Sequence, residues 1–505
     1  MKKACWLLAF MLISGILPAQ TIDLKKKLPL VDRYIDSLVK DWNIPGLAIG
    51  IVQDDQLVYA KGFGYRDFAR KLPVDTATLF PIASNTKLFT ATIAAEMQGE
   101  GRLSLDAPVK TYLPLLQFST DELNAKATLR DLLSHRTGLP RYDLFWAYNT
   151  DITRDELLQL VHYMKPRFSL REGYIYNNVM YAMAGIALEK ITDSTWEALV
   201  KKRLFTPLQM TASCFLPEEM TAYGNYALSY YQDDSTQELL PITHLAQSLA
   251  LGPAGTIKST VGDMSHWMIA QLNNGQYKGA QAIPAAAVRE TLLAQTVTEK
   301  TTRWPELSHS LYCLGRTVQQ YKGYSLVSHT GSIDGFYSNL SFFPAQKIGI
   351  FMVHNSMEAG SLRSVMALPV FDILLGLSRT PWIARYKKDY LDAKAAEQKE
   401  KQQLLSDRQK GTHPSHPLAD YAGEYEHPAY GSLTIRLVSG ALVAGFRHLD
   451  IPLYHYHYDQ FHTSEKSGDL PGFEVRFRTG ETGQIDALEM SLSGDPGETV
   501  FRRKK

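Results

Sequence analysis

The chain has 505 residues, which is too long for one ordinary domain. Its hydrophobic fraction of 45% and its charged fraction of 21% are typical of globular proteins. A formal net charge of +1 gives no general electrostatic reason to expect a nucleic acid or an acidic membrane surface as a partner. The composition therefore predicts a globular protein with more than one domain and no nucleic-acid partner.

The N-terminal segment, residues 1–20, has the pattern of a secretory signal peptide. Lys2 and Lys3 precede an apolar run over residues 4–17, and Pro18-Ala19-Gln20 follows it. An uncleaved membrane anchor is the alternative, but the run is short for a span of about 20 residues. We expect cleavage near residue 20, a periplasmic or secreted mature protein, and no stable membrane span after cleavage.

Residues 21–380 have the pattern of one large α+β domain. A predicted helix near residues 25–42 precedes two apolar runs, 46–53 and 56–63, which flank an acidic turn and indicate a β-hairpin. Helices dominate the middle of the region, and later strands are predicted at 311–314, 324–329, 337–343 and 348–354. The expected fold is an antiparallel sheet flanked by helices, with its first strands from the N-terminal part and its last from the C-terminal part.

The character of the sequence changes after residue 380. Residues 381–415 form a predicted linker, rich in Lys, Glu, Gln and Ala, which indicates a solvated helix or a flexible connector. From 416 to 505, short alternating strands are separated by turns that contain glycine. This spacing predicts a small all-β sandwich or barrel as the C-terminal domain.

One stretch places Ser84 and Lys87 three positions apart at the predicted start of a helix. One helical turn would bring the amine within hydrogen-bond reach of the hydroxyl. A lysine in an apolar, partly positive site can have its pKa lowered enough to help remove the serine proton. The same spacing occurs at Ser37 and Lys40, on a predicted amphipathic surface helix. Spacing alone therefore leaves Ser84 as either a nucleophile or a simple helix N-cap.

Two later motifs change this balance. A Tyr-x-Asn motif at 176–178 precedes an apolar helix, and a His-Thr-Gly motif at 329–331 ends a predicted strand. Together with Ser-x-x-Lys at 84–87, and in this order, they resemble the signatures of the serine β-lactamase and penicillin-binding-protein superfamily, in its class C-like branch. The resemblance runs from about residue 26 to residue 378 and implies a β-lactamase or transpeptidase-like fold.

The resemblance implies a role for each residue on the nucleophile side. Ser84 would attack a carbonyl group and form an acyl-enzyme, and Lys87 would accept or relay the serine proton. Tyr176 would share this proton traffic and help to activate the water that hydrolyses the acyl-enzyme. Asn178 would donate its amide to the substrate or hold Lys87 in place. The residues by themselves also allow a buried structural lysine, a core tyrosine and a helix-capping asparagine.

The opposite wall, by the same resemblance, is a strand that carries His329, Thr330 and Gly331. Its substrate would pair along the strand edge, and the backbone N–H groups of Ser84 and Ser332 would form the oxyanion hole. Class C-like β-lactamases typically carry lysine where this chain has His329, and histidine is largely neutral at pH 7. The histidine version resembles esterases and D-amino-acid-directed peptidases of the same fold.

We therefore predict an exported serine hydrolase that acts on a small peptide, D-amino-acid amide or ester and needs no cofactor or metal. A class C-like β-lactamase and a non-catalytic module that binds cell-wall fragments are the alternatives. The C-terminal domain resembles the lipocalin-like domains appended to some of these hydrolases. That resemblance implies a barrel near the cleft that restricts substrates or mediates oligomers, with a solvated spacer domain as the alternative.

Three smaller features stay open at this point. Four aromatic residues either form a rim over the cleft or pack in the core: Tyr142, Phe145, Trp146 and Tyr148. Three histidines, His455, His457 and His462, could bind a metal but lack a clear acidic or cysteine partner. Cys214 and Cys313 would either pair in an oxidising compartment or remain separate thiols.

Overall fold

The computed structural model describes residues 24–233, 235–243, 248–299, 301–463, 473–490, 492 and 499–504. The predicted signal peptide, residues 1–20, lies outside them. Among the described residues, no helix is both long enough and apolar enough to cross a membrane.

Helices surround the sheet of the N-terminal domain. They are α1 (Leu28–Asp41), α2 (Thr86–Gly99), α3 (Asp121–Lys126), α4 (Leu129–Leu133), α5 (Arg154–Leu160), α6 (Asn178–Thr192), α7 (Trp196–Val200), α8 (Pro217–Tyr223), α9 (Gly252–Gly255), α10 (Val261–Leu272), α11 (Ala285–Glu290) and α12 (Leu368–Leu375). Short 3₁₀ segments cover Ala83–Asn85, Val109–Thr111, Asp143–Phe145, Val161–Tyr163, Leu249–Leu251, Pro344–Gln346 and Glu358–Ser364, and a π-helical turn covers Lys201–Phe205.

The strands of this domain are β1 (Gly46–Gln53), β2 (Gln56–Asp67), β3 (Leu72–Pro73), β4 (Phe80–Pro81), β5 (Tyr230–Gln232), β6 (Leu239–Pro241), β7 (Lys258–Ser259), β8 (Gln276–Tyr277), β9 (Ala280–Gln281), β10 (Thr296–Val297), β11 (Leu311–Tyr312), β12 (Thr317–Tyr321), β13 (Tyr324–Ile333), β14 (Phe336–Phe343) and β15 (Ile348–His354). Within the described part of the chain, nine of them form one antiparallel sheet in the order β10-β11-β12-β13-β14-β15-β1-β2-β3. Strand β1 pairs with β15, with Leu47 opposite His354. This pairing and the β1–β2 hairpin confirm the predicted α+β fold.

The sheet is the middle layer of this domain. Strand β1 is buried almost throughout, and its side chains alternate between two apolar clusters. Leu47, Ile49 and Ile51 belong to the cluster that contains α1 and α12, whereas Ala48 and Val52 belong to the cluster that contains α10. Because successive side chains of a strand point to opposite faces, helices must cover both sides of the sheet.

The C-terminal part begins with a long helix, α13 (Trp382–Asp407), which is buried only at Trp382. A short helix, α14 (Leu418–Tyr421), follows. The next strands are β16 (Gly423–His427), β17 (Gly431–Val438), β18 (Ala441–Phe446), β19 (Leu449–His457), β20 (Gln460–Thr463), β21 (Glu474–Thr479), β22 (Ile485–Met490) and β23 (Thr499–Arg503). Among the residues described, these strands close into a barrel, because β23 pairs back with β16. The C-terminal domain is therefore all-β, as predicted, and is a barrel and not a sandwich.

Candidate active site

Ser84 lies on the 3₁₀ turn between strand β4 and helix α2. Ala83, just before it, has a left-handed backbone with φ of 49°, which is strained for a residue with a Cβ atom. The sequence predicted a helix that begins near Ser84, but the α-helix begins two residues later and its N-cap is Asn85. The N-cap alternative for Ser84 is therefore wrong; its hydroxyl contacts Lys87 instead.

Lys87 is fully buried beside Ser84. Its Nζ atom lies 3.0 Å from Ser84 Oγ, 2.8 Å from Asn178 Oδ1 and 2.7 Å from the carbonyl oxygen of Ala254. Burial lowers the pKa of this amine well below its ordinary value of 10.5, and the positive charge of Arg141 lowers it further. Burial and the nearby Arg141 charge therefore favour a neutral Lys87 beside the serine hydroxyl.

Tyr176 lines the cleft and packs against Lys87. Its ring centroid is 4.9 Å from Lys87 Nζ, and its hydroxyl interacts with Ser84. Burial raises the pKa of the phenol above its ordinary value of 10.0, while the interaction with Ser84 acts in the opposite direction. The ring of His135 lies 4.2 Å behind it, centroid to centroid. Tyr176 therefore keeps its proton at neutral pH and can hand it on within the site.

Neighbouring asparagines at the start of α6 have different tasks. Asn177 is the N-cap, and its Oδ1 accepts a hydrogen bond from the backbone N–H of Met180 at 3.1 Å. Asn178 turns the other way, accepts from Lys87 through Oδ1, and donates from Nδ2 to Asp143 Oδ1 at 3.2 Å. The structure thus brings Asn178 to Lys87 and gives the capping role to Asn177.

The His-Thr-Gly motif lies on β13, directly against the turn that carries Ser84. A Cβ atom on Gly331 would lie 2.2 Å from the carbonyl oxygen of Ile82 and 2.4 Å from Ser338 Oγ. The Ser338 hydroxyl donates to that Ile82 oxygen at 2.7 Å and accepts from Asn85 Nδ2 at 2.8 Å. Glycine is required here because the strand approaches the Ser84 turn so closely.

His329 is buried and its two ring nitrogens have separate partners. Nδ1 lies 2.7 Å from the carbonyl oxygen of Thr330, which can only accept, so Nδ1 carries a proton. Nε2 accepts from the hydroxyl of Tyr312 at 3.1 Å. Burial lowers the pKa of His329 to about 3. The imidazole is therefore neutral at pH 7.

These elements border a cleft of about 630 Å³. Among the predicted site residues, its lining includes Ser84, Tyr176, Asn178, His329, Thr330 and Ser332. Lys87 and Gly331 lie just behind the lining, and both are buried. The fold thus gathers all the residues predicted for the site around one cavity.

Sequence reasoning missed several groups that complete the site. Arg141 lines the cleft, and its Nε donates to Asp143 Oδ2 at 2.5 Å. Asp143 Oδ1 also accepts from Trp146 Nε1 at 3.1 Å. The Tyr312 hydroxyl and the Ala254 carbonyl are further partners, for His329 and Lys87 respectively. None of these residues belongs to a recognisable motif, although the aromatic cluster at 142–148 marks the segment that contains Asp143.

Residues 141–148, named here the bridging loop, contact both the cleft and the barrel. Trp146 lines the cleft, whereas Leu144 and Tyr148 line the interior of the barrel. The guanidinium of Arg447, in the β18–β19 turn, donates to the carbonyl oxygens of Phe145, at 3.4 Å, and of Ala147. The predicted alternatives of an aromatic rim and core packing are therefore both realised, by different residues of one loop.

The remaining candidates form no second site in the described residues. No group of three or more His, Cys, Asp or Glu side chains there is arranged to hold a metal ion. His455 Nε2 lies 2.9 Å from the carbonyl oxygen of Tyr458. Cys214 and Cys313 are separate free thiols, and burial raises the pKa of each to about 11.

The sequence of the chain matches two known protein-family models. The model of the family described as Beta-lactamase matches residues 31–374, more than half of the chain. The chain belongs to the beta-lactamase family. A second model, described as a domain of unknown function (DUF3471), matches residues 407–503, which include the barrel.

Two named proteins are among the relatives of this beta-lactamase-family chain. Unguisins hydrolase ungD of Aspergillus violaceofuscus is 27% identical over 440 residues, which cover 80% of this chain and 76% of that protein. Protein flp of Staphylococcus aureus is 26% identical over 336 residues, which cover 64% of this chain and 62% of that protein.

Solved structures include an octameric penicillin-binding protein homologue from Pyrococcus abyssi. It superimposes with a TM-score of 0.62 at 21% identity and covers 94% of this chain and 100% of that one. At this identity the likeness concerns the fold alone. The family match and the relatives confirm the resemblance to serine hydrolases of the β-lactamase and penicillin-binding-protein superfamily.

Proposed function

We propose that the protein is an exported serine hydrolase that cleaves a small peptide, D-amino-acid amide or ester through an acyl-Ser84 intermediate. The environment of Lys87 Nζ carries this proposal. Two of its neighbours, Asn178 Oδ1 and the Ala254 carbonyl oxygen, can only accept hydrogen bonds. A neutral amine gives its two N–H groups to them and directs its lone pair at its third neighbour, the Ser84 hydroxyl.

The proposed reaction begins when Ser84 Oγ bonds to the substrate carbonyl carbon and its proton passes to Lys87. The carbonyl oxygen becomes an anion, which the backbone N–H groups of Ser84 and Ser332 would stabilise. Tyr176 gives its proton to the leaving nitrogen or oxygen as the scissile bond breaks, and Lys87 returns a proton to Tyr176. Water activated with the help of Tyr176 then hydrolyses the acyl-enzyme.

The neutral His329 supports peptide, amide or ester substrates over β-lactams. With its pKa at about 3, this residue supplies no positive charge to the strand that faces Ser84. A class C-like β-lactamase stays the alternative, because the matching family carries that name. The name of the ungD relative supports hydrolysis in general. Cephalosporin turnover far above that of small esters and D-amino-acid amides would favour the β-lactamase.

Covalent labelling of Ser84 tests the proposal. A fluorophosphonate or penicillin probe, followed by intact mass, is expected to label the wild type and the Ser37→Ala variant once each. Labelling should be absent in Ser84→Ala. A folded wild-type protein that resists both probes would support the alternative of a binding module without turnover.

Export and assembly are further parts of the proposal. Export rests on the basic and apolar pattern of residues 1–20. N-terminal sequencing of protein from a periplasmic extract should begin near residue 20, and an intact Met1 would contradict cleavage. The Pyrococcus abyssi homologue is described as octameric. Light scattering on the mature chain would show whether it also forms an oligomer.

A further inference from the structure

The cleft carries few charged side chains. In the described part of the chain, those in its lining are Arg141, Asp334 and Arg363. Because His329 is neutral, the two guanidinium groups are the fixed positive charges available to a substrate at these walls. An anionic group on the substrate would therefore be recognised by an arginine and not by the His-Thr-Gly strand.

Arg141 has the geometry of an anion-binding group. Its Nε edge is occupied by Asp143 Oδ2, and its terminal nitrogens form no hydrogen bond with any described residue. The side chain is 47% exposed, and its Cζ atom lies 5.5 Å from the ring centroid of Tyr176. The terminal amino groups thus form a free planar fork beside the tyrosine that contacts Ser84.

Arg363 differs in its surroundings. Its Nη1 donates to the carbonyl oxygen of Gly360 at 2.7 Å, and its Cζ atom lies 5.8 Å from the ring of Tyr337. It belongs to the 3₁₀ segment Glu358–Ser364 and not to the bridging loop. Arg363 is therefore the matched control: it is a second cation in the same cleft, but one of its terminal nitrogens already donates a hydrogen bond.

Arg141 is also held in place before any substrate arrives. Asp143, its partner, accepts from Trp146 and Asn178 as well, so both carboxylate oxygens are engaged. Leu144, one residue further, lies in the barrel. Because this cation is already positioned, its side chain loses little conformational entropy when a substrate binds, which favours selectivity for anionic substrates.

We propose that Arg141 is a specificity-determining residue that binds a carboxylate group of the substrate through its two terminal nitrogens. This proposal rests on the proposed hydrolase function for turnover, but binding can be measured without it. Two-point contact between guanidinium and carboxylate favours the anionic substrate over a neutral isostere by roughly tenfold at a partly exposed site.

Matched ester pairs test this selectivity. One pair, para-nitrophenyl hydrogen glutarate and para-nitrophenyl glutaramate, differs only on the acyl side, and the other, para-acetoxybenzoate and para-acetoxybenzamide, only on the leaving group. Wild-type kcat/KM should favour the carboxylate by roughly tenfold in at least one pair. The preference should fall below about twofold in Arg141→Gln, recover partly in Arg141→Lys, and persist in Arg363→Gln.

Other outcomes overturn the proposal. The proposal is wrong if kcat/KM is equal for both members of each pair. It is also wrong if Arg141→Gln keeps the preference for the carboxylate, or if only Arg363→Gln removes that preference. If neither pair is hydrolysed above the Ser84→Ala background, the proposed hydrolase function fails instead. Binding of the same pairs to Ser84→Ala, with and without Arg141→Gln, then decides the Arg141 proposal on its own.

Discussion

The chain contains the Ser-x-x-Lys spacing twice, and the two copies lie in opposite surroundings. Ser37 and Lys40 are both exposed on helix α1. Ser84 is partly exposed to the cleft, and Lys87 is fully buried with two carbonyl oxygens as neighbours. The spacing puts serine and lysine on one helical face in either case. Burial and fixed acceptors, which only the second copy has, distinguish the pair that we propose as nucleophile and base.

Removing each lysine in turn should give the largest difference in activity between the two copies. Lys87→Ala deletes the proposed base for the Ser84 proton, and we expect kcat/KM on a para-nitrophenyl ester to fall by about 10²–10⁴-fold. Lys40→Ala should leave it unchanged. Thermal unfolding of both variants checks that the fold is kept, and equal activities would show that the buried lysine is only structural.

A pair of glycines tests how closely the strand must approach the Ser84 turn. Gly331→Ala places a methyl group 2.2 Å from the Ile82 carbonyl oxygen, so the strand and turn must separate. We expect about 1–3 kcal/mol of destabilisation and a loss of kcat on the order of 10²-fold. At Gly255 the nearest atom to a new Cβ would be 3.9 Å away, on Ala83, so Gly255→Ala should be mild. Similar melting curves and rates for the two variants would contradict this account.

The neighbouring asparagines offer a smaller contrast. Asn178→Ala removes an acceptor from Lys87 and should lower kcat/KM by about 10–100-fold with little change in stability. Asn177→Ala removes the N-cap of α6 and should cost about 1 kcal/mol of unfolding free energy. Urea unfolding alongside ester kinetics distinguishes the two. Loss of stability without loss of rate in Asn178→Ala would show that its role is structural.

Much of this could be predicted from sequence, because it depends on local patterns. The hairpin of β1 and β2 follows from two apolar runs across an acidic turn, and the barrel from short alternating strands. Ser84, Tyr176 and His329 could be named because their motifs occur in a known order. The apolar pattern predicts a start of α2 that is two residues too early, since a left-handed Ala83 and a 3₁₀ turn leave no mark in such a pattern.

Other groups could not be predicted because they meet only through the fold. The Ala254 carbonyl reaches Lys87 from a position 167 residues away, and any residue type provides a carbonyl. Asp143 and Arg141 look like ordinary surface charges within an aromatic segment. That segment packs partly in the cleft and partly in the barrel, a division that depends on how two domains meet and not on hydrophobicity.

The smallest expected effect tests how far the barrel supports the site. Arg447→Ala removes the guanidinium that holds the Phe145 and Ala147 carbonyl oxygens of the bridging loop. We expect kcat/KM to fall by roughly threefold, because the loop carries Asp143, which orients Asn178. Arg436→Ala, which breaks an exposed ion pair with Asp450 on the same barrel, is the matched control and should have no effect.

The pH dependence of Ser84 phosphonylation tests the central claim most directly. Since burial lowers the pKa of Lys87 well below 10.5, its neutral, reactive form should predominate well before that pH. His329, with a pKa of about 3, should add no inflection between pH 5 and 9. The rate constant for labelling by a fluorophosphonate should therefore rise with pH and level off well below 10.5, in the wild type and in His329→Gln alike. A rate that keeps rising up to 10.5, or an inflection that disappears in His329→Gln, would contradict Lys87 as the neutral base.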